Sequence, residues 1–162
     1  MDKKKSEIIF KPIEDKDIPL IEKWIRQEYI LKWYHEPEEW IKEMEERDRE
    51  FSFLNHFIVY DGDKLFAFCQ YYDCFYAQEE WCMVDFPGHI YSIDYLIGDE
   101  AYLGKGYAKF VVNELIERIR SHKDAKEIVV QPEMENIPSC KTLETCRFIY
   151  DEENKYYYLY LK

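Results

Sequence analysis

An aspartate stands where an apolar side chain would be expected. Asp94 lies in Ile90-Tyr-Ser-Ile-Asp-Tyr-Leu-Ile97, an apolar and aromatic run that reads as a β-strand. Strand alternation puts Ser92 and Asp94 on one face and Tyr91, Ile93, Tyr95 and Ile97 on the other. A carboxylate in a core strand is costly unless it is paired or opens onto a cleft. Asp94 is therefore either a partnered structural group or a site residue.

A second feature follows at once. Gly98, Gly104 and Gly106 break the strand pattern, and from Tyr107 the period becomes helical. Ala108, Val111, Val112, Leu115, Ile116 and Ile119 form one stripe, with Lys109, Asn113, Glu117 and Arg120 elsewhere. A glycine-rich turn opening a helix suits a phosphate, because free N–H groups and the helix dipole point at the ligand. An ordinary strand-to-helix turn has the same composition. A Walker loop is excluded, since Gly106 stands where Ser or Thr must follow the lysine, and Asp99 stands at a required glycine. A dinucleotide fingerprint is excluded by Lys109, three residues after Gly106.

The remaining elements must position these two features. Glu7 to Ile13 reads as a first strand, and Asp15 or Asp17 caps a helix through Leu20, Ile21, Trp24 and Ile25. Leu31 to Pro37 is a loop, and a second helix runs from Pro37 or Glu38 to about Arg49. Glu36 to Glu50 holds eight acidic and three basic residues, either a solvated face or one wall of a cleft for a polycation. Asn55 to Tyr60 and Lys64 to Tyr72 are strands joined by a turn at Asp61-Gly62. Asp73 to Gly88 is long and irregular, with Glu79, Glu80 and Asp85 among aromatics; it suits an amine-rich ligand or an oligomer contact equally. After the central helix come a short strand, Glu127 to Gln131, and a helix capped by Asn136 that runs to about Cys146. Phe148 to Tyr150 and Tyr156 to Leu161 close the chain as a hairpin.

Composition bounds the function. The 162 residues fit one domain, 1–162, with a sizeable core. Five cysteines without a Cys-x-x-Cys, and four scattered histidines, indicate neither a disulfide framework nor a metal site. No apolar run approaches about 18 residues, so no membrane partner is expected. Met1-Asp-Lys-Lys-Lys has no apolar stretch behind it and does not read as a signal peptide, which points to the cytoplasm. The net charge of −12 argues against nucleic acid and is compatible with cationic substrates. A monomer or homodimer is expected.

Ser92-Ile-Asp-Tyr-Leu-Ile-Gly98 followed by Tyr102-Leu-Gly-Lys-Gly-Tyr-Ala108 resembles the acetyl-CoA-binding motif of the GCN5-related N-acetyltransferases (GNAT). Asn136-Ile-Pro-Ser-Cys-Lys-Thr-Leu-Glu-Thr-Cys-Arg-Phe148 matches a second signature of that superfamily, and weak similarity extends from about Ile8 to Leu161. Within the superfamily the chain is most similar to the aminoglycoside 6′-N-acetyltransferases. The resemblance implies an α/β (α+β) single-domain fold, with a central mixed, mostly antiparallel sheet of six or seven strands flanked by about four helices. It implies acetyl-CoA as cosubstrate and transfer to a primary amine of a polycationic small molecule.

The cosubstrate contacts implied are Tyr95, Leu96, Ile97, Leu103, Gly104, Lys105, Gly106, Tyr107, Ala108, Asn136 and Ser139. A backbone N–H near Leu96 is expected to stabilise the oxyanion. Asp94 matches the family's aspartate that binds and deprotonates the reacting amine. Trp33, Tyr34, Glu36, Gln70, Tyr72, Glu79 and Asp85 are the expected acceptor contacts. Three positions depart from the family: Ala101 replaces a frequent Gln or Arg, Leu143 the usual tyrosine, and Arg147 the usual glycine. The acceptor could instead be a peptide, a small polyamine or a siderophore hydroxylamine, and a non-catalytic acyl-CoA-binding module is the reading from another class.

Overall fold

The computed structural model describes residues 7–161. The N-terminal Met1-Asp-Lys-Lys-Lys stretch lies outside the described residues. Seven strands form one sheet: β1 (Ile8–Pro12), β2 (Leu54–Asp61), β3 (Lys64–Asp73), β4 (Ile90–Ile97), β5 (Glu127–Val130), β6 (Ile149–Asp151) and β7 (Tyr156–Tyr160). Their spatial order is β1-β2-β3-β4-β5-β7-β6. Every neighbouring pair is antiparallel except β4 and β5. The helices are α1 (Ile18–Ile25), α2 (Glu28–Leu31), α3 (Pro37–Glu45), α4 (Cys74–Ala77), α5 (Tyr107–Arg120) and α6 (Ile137–Thr145).

The sheet buries both faces, so its central strands are apolar on both sides. On one face α5 lays Val111, Val112, Leu115, Ile116 and Ile119 against Phe57, Val59, Ile93 and Ile128, and α6 adds Leu143. On the other, Ile21, Trp24 and Ile25 of α1 and Met44 of α3 cover Ile58, Phe68 and Leu96. The stripe read from the sequence of α5 is buried from Val111 to Ile119, while its first member, Ala108, is only partly buried.

Six helices flank the sheet rather than about four, because α2 and α4 are single turns too short to show a period. α3 ends at Glu45 and residues 46–53 continue as turns, so the helix is shorter than the expected run to Arg49. Asp61 belongs to β2, and the hairpin turns at Gly62, whose φ is +62°. The irregular stretch from Asp73 to Gly88 is pinned at both ends by one side chain. Asp73 accepts from the Phe75 N–H at 2.9 Å, capping α4, and from the Gly88 N–H at 2.7 Å.

Gly98 ends β4 for a steric reason. A Cβ there would lie 1.9 Å from the Trp24 ring. Only glycine lets α1 pack on the end of the strand that carries Asp94.

Candidate active site

β4 and β5 pair only at Ile90–Glu127 and Tyr91–Ile128, and then part. The Gly98 N–H donates to the Phe66 carbonyl at 2.8 Å, which fixes the ladder between β3 and β4. Alternation then turns the backbone groups of Asp94 and Leu96 toward β3 and those of Tyr95 and Ile97 toward the split. The N–H of Leu96 therefore belongs to the sheet, and the backbone donors facing the split on either side of it are those of Tyr95 and Ile97.

Two tyrosine hydroxyls occupy this edge. Tyr34 donates to the Tyr95 carbonyl and accepts from the Tyr95 N–H at 3.2 Å. Tyr29 donates to the carbonyls of Ile97 at 2.9 Å and Gly98 at 3.1 Å. Beside Tyr34, His35 meets Glu133 at 2.6 Å, linking the segment before α3 to the segment after β5 across the mouth of the split.

The split opens into a cleft of about 1530 Å³. A pocket for one small molecule holds roughly 300–1,000 Å³, so this cleft has room for two substrates side by side. One end is built from the glycine turn. Gly104 and Gly106 take φ of +70° and +82°, and no side chain caps the start of α5. A Cβ on Gly104 would meet nothing within 4 Å, so this turn is an open cradle of backbone. Leu103, Gly104, Gly106, Tyr107 and Ala108 line it, whereas Lys105 is exposed and is not part of the lining. Lys109 and Lys141 add positive charge at this end, and sequence reading assigned them no role. Asn136 caps α6 by accepting from the Ser139 N–H at 3.3 Å, and the Ser139 Oγ meets the Tyr95 hydroxyl at 2.9 Å. These features fit an extended thiol ester with a pyrophosphate at one end.

The other end is acidic and aromatic. Asp94 is half-buried on the α1–α3 side of the sheet and accepts from the Gln70 amide at 2.9 Å. Burial, opposed by that hydrogen bond and reinforced by Glu79, pushes its carboxyl up to about 7. Glu43 of α3 is likewise pushed up to about 7, by burial first and then by repulsion from Asp94, Glu79 and Glu39. Glu79 is held from two sides, by the Tyr72 hydroxyl at 3.1 Å and the Trp81 indole N–H at 3.2 Å. Trp33, Trp40, Phe51 and Phe53 complete the walls. Burial, with Asp94 as the main neighbouring charge, holds the hydroxyls of Tyr34 and Tyr72 well above the usual tyrosine range, so both remain hydroxyls.

Of the expected acceptor contacts, Trp33, Tyr34, Gln70, Tyr72, Glu79 and Asp94 line the cleft. Glu36 and Asp85 do not. Glu36 begins α3 in a left-handed conformation (φ +58°) and is exposed, and Asp85 is exposed in the segment pinned by Asp73. Glu43 was missed as an individual residue, although its position three residues after Trp40 and next to Met44 marks the inward edge of the helix. Leu143 is fully buried in the core, so its side chain does not border the cleft.

A family profile described as "Acetyltransferase (GNAT) domain" matches residues 14–155. The chain belongs to the GNAT acetyltransferases. No curated protein matches the sequence. Among solved structures, this GNAT chain superposes on the aminoglycoside acetyltransferase AAC(6')-Ib in complex with coenzyme A and kanamycin with a TM-score of 0.79, at 16% identity over 94% of each chain. An aminoglycoside N(6')acetyltransferase from Legionella pneumophila gives 0.75 at 21% identity, over 99% of this chain and 94% of the other. A spermidine N-acetyltransferase from Vibrio cholerae, in complex with CoA and spermine, gives 0.74 at 15% identity over 96% of each chain. At these identities the likeness is one of fold. Family membership makes the protein an N-acetyltransferase with acetyl-CoA as its cosubstrate.

Proposed function

We propose that this acetyltransferase transfers acetyl directly to a primary amine of an aminoglycoside-like polycation, with Asp94 as the group that holds and deprotonates the reacting ammonium. One observation carries the reading: Asp94 from β4, Glu43 from α3 and Glu79 after α4 converge in the acceptor end of the cleft and repel one another. Carboxylates crowded among aromatic walls are stabilised when several ammonium groups arrive together.

Acetyl-CoA supplies the reacting carbonyl as a thioester. The N–H groups of the turn at 104–108 and the start of α5 hold its diphosphate, with Lys109 and Lys141 nearby. Tyr95 offers its N–H to the edge where the thioester lies, once the Tyr34 hydroxyl has yielded that position. Asp94 binds the ammonium and takes its proton, as a base poised near neutral pH can do. The freed amine forms the new C–N bond, the C–S bond breaks, and the thiolate leaves. Leu143 has no proton to give the thiolate, and the hydroxyls that border the split are those of Tyr29, Tyr34 and Tyr95. Five buried, unpaired cysteines support a reducing, cytoplasmic setting.

The test is thiol release from acetyl-CoA with kanamycin, tobramycin, spermidine and a mixed peptide pool as acceptors. Release with the aminoglycosides is expected. Release with spermidine alone selects a linear polyamine at the same three carboxylates. Release with peptides alone, or none with any acceptor while CoA binds, overturns the reading.

A further inference from the structure

Behind Asp94 a polar row crosses the sheet. Gln70 stands directly opposite Asp94 in the register between β3 and β4, and His56 stands directly opposite Gln70 between β2 and β3. All three lie on the α1–α3 face, in line with Ile58, Phe68 and Leu96. His56 is 5% exposed and Gln70 2%. Gln70 spends its amide N–H on Asp94, while its Oε1 and both ring nitrogens of His56 are enclosed with no hydrogen-bond partner.

Buried polar atoms without partners are rare, and each calls for an explanation. A valine or phenylalanine would fill the place of His56 at no such cost. The imidazole stacks on Phe68 with ring centroids 5.9 Å apart, so it is packed as an aromatic while keeping its polar edge. Residues directly opposite across antiparallel strands bring their Cβ atoms to about 4.5–5.5 Å. A torsional adjustment within that spacing joins a His56 N–H to Gln70 Oε1, and one contact then satisfies two orphaned atoms.

We infer that His56 and Gln70 are positioning residues for Asp94: a His56 N–H donates to Gln70 Oε1, and the amide so polarised donates to the Asp94 carboxylate. Hydrogen bonds in series strengthen one another in a low-dielectric interior. His56 can serve only as a neutral donor, and its burial, with Arg47 as the nearby cation, pushes its ring down to about 4. The chain of donors favours the ionised form of Asp94 against burial and against Glu79. Facing Asp94 from the other elements are Glu43 of α3, Tyr34 before it, Tyr72 of β3 and, through the sheet, Tyr95. The catalytic consequence rests on Asp94 being the base.

The test follows Asp94 directly, by NMR titration of isotope-labelled aspartate in wild type, Gln70→Leu and His56→Phe, beside the acid limb of kcat/KM. His56→Phe keeps the stacking and removes the donor. His56→Gln keeps a donor and serves as the rescue. Asp94 is expected to titrate roughly one unit higher in Gln70→Leu and about half a unit higher in His56→Phe. His56→Gln should return toward wild type, and the acid limb should move with the titration. A raised titration without movement of the acid limb supports the relay and removes Asp94 as the base. Asp94 titrating identically in wild type and a folded His56→Phe overturns the relay.

Discussion

Asp94→Asn should stabilise the protein while disabling it. The folded carboxyl sits at about 7 against an ordinary value of 3.8. The folded state therefore binds this proton more tightly than the unfolded chain does. Stability falls as pH rises through 3.8 toward 7, and above 7 the whole cost is present. Three units at 1.36 kcal/mol each set a ceiling of about 4 kcal/mol. Asp94 opens onto a wet cleft, and screening there reduces the expectation to about 1–3 kcal/mol. Asparagine keeps the shape and an oxygen for the Gln70 amide, and loses only the charge. At roughly 2–4 °C per kcal/mol for a chain of this size, the variant should melt about 2–12 °C higher than wild type at pH 8. Near pH 4.5 its advantage should be less than half of that. Thermal melts of both proteins at the two pH values decide the matter, with spermidine at pH 8 expected to narrow the gap. An equal gain at both pH values, or a loss at pH 8, refutes the claim that the fold holds this carboxylate against its ionisation.

Other substitutions probe the remaining parts of the site. Glu43→Gln removes one of three carboxylates and should raise KM for tri- and tetra-amines about tenfold, with kcat within about twofold, in steady-state assays. Gly98→Ala forces a Cβ to 1.9 Å from the Trp24 ring and should cost about 3 kcal/mol in urea unfolding, since neither helix nor strand end can move freely. Leu143→Tyr places a hydroxyl in a fully buried site; it should cost about 1–3 kcal/mol and leave kcat no higher, and a raised kcat would show that the side chain does reach the cleft.

The parts of the molecule legible in the sequence are those whose signals are local. Ile90–Ile97 alternates and ends at a glycine, and β4 has those bounds. Asn136 and Pro138 announce α6, and the stripe from Val111 announces α5. α2 and α4 were hidden because one turn of helix has no period. Glu36 is expected at the acceptor site from the resemblance and Asp85 from its charge among aromatics, but neither signal carries direction, and neither residue belongs to the cleft lining. Tyr34 was singled out, yet its contact with the backbone of Tyr95, 61 residues later in the chain, depends on where β4 leaves β5. The His56–Gln70–Asp94 row was invisible for the same reason, since it exists only in the strand register.

The central claim is that Asp94 takes the proton from a bound polycationic amine. The most direct measurement compares thiol release by wild type and Asp94→Asn with acetyl-CoA and tobramycin, alongside CoA affinity by calorimetry. General-base catalysis is worth roughly 10²–10⁴-fold, so kcat should fall at least about a hundredfold while CoA affinity stays within about twofold. Turnover by Asp94→Asn equal to wild type would contradict the account.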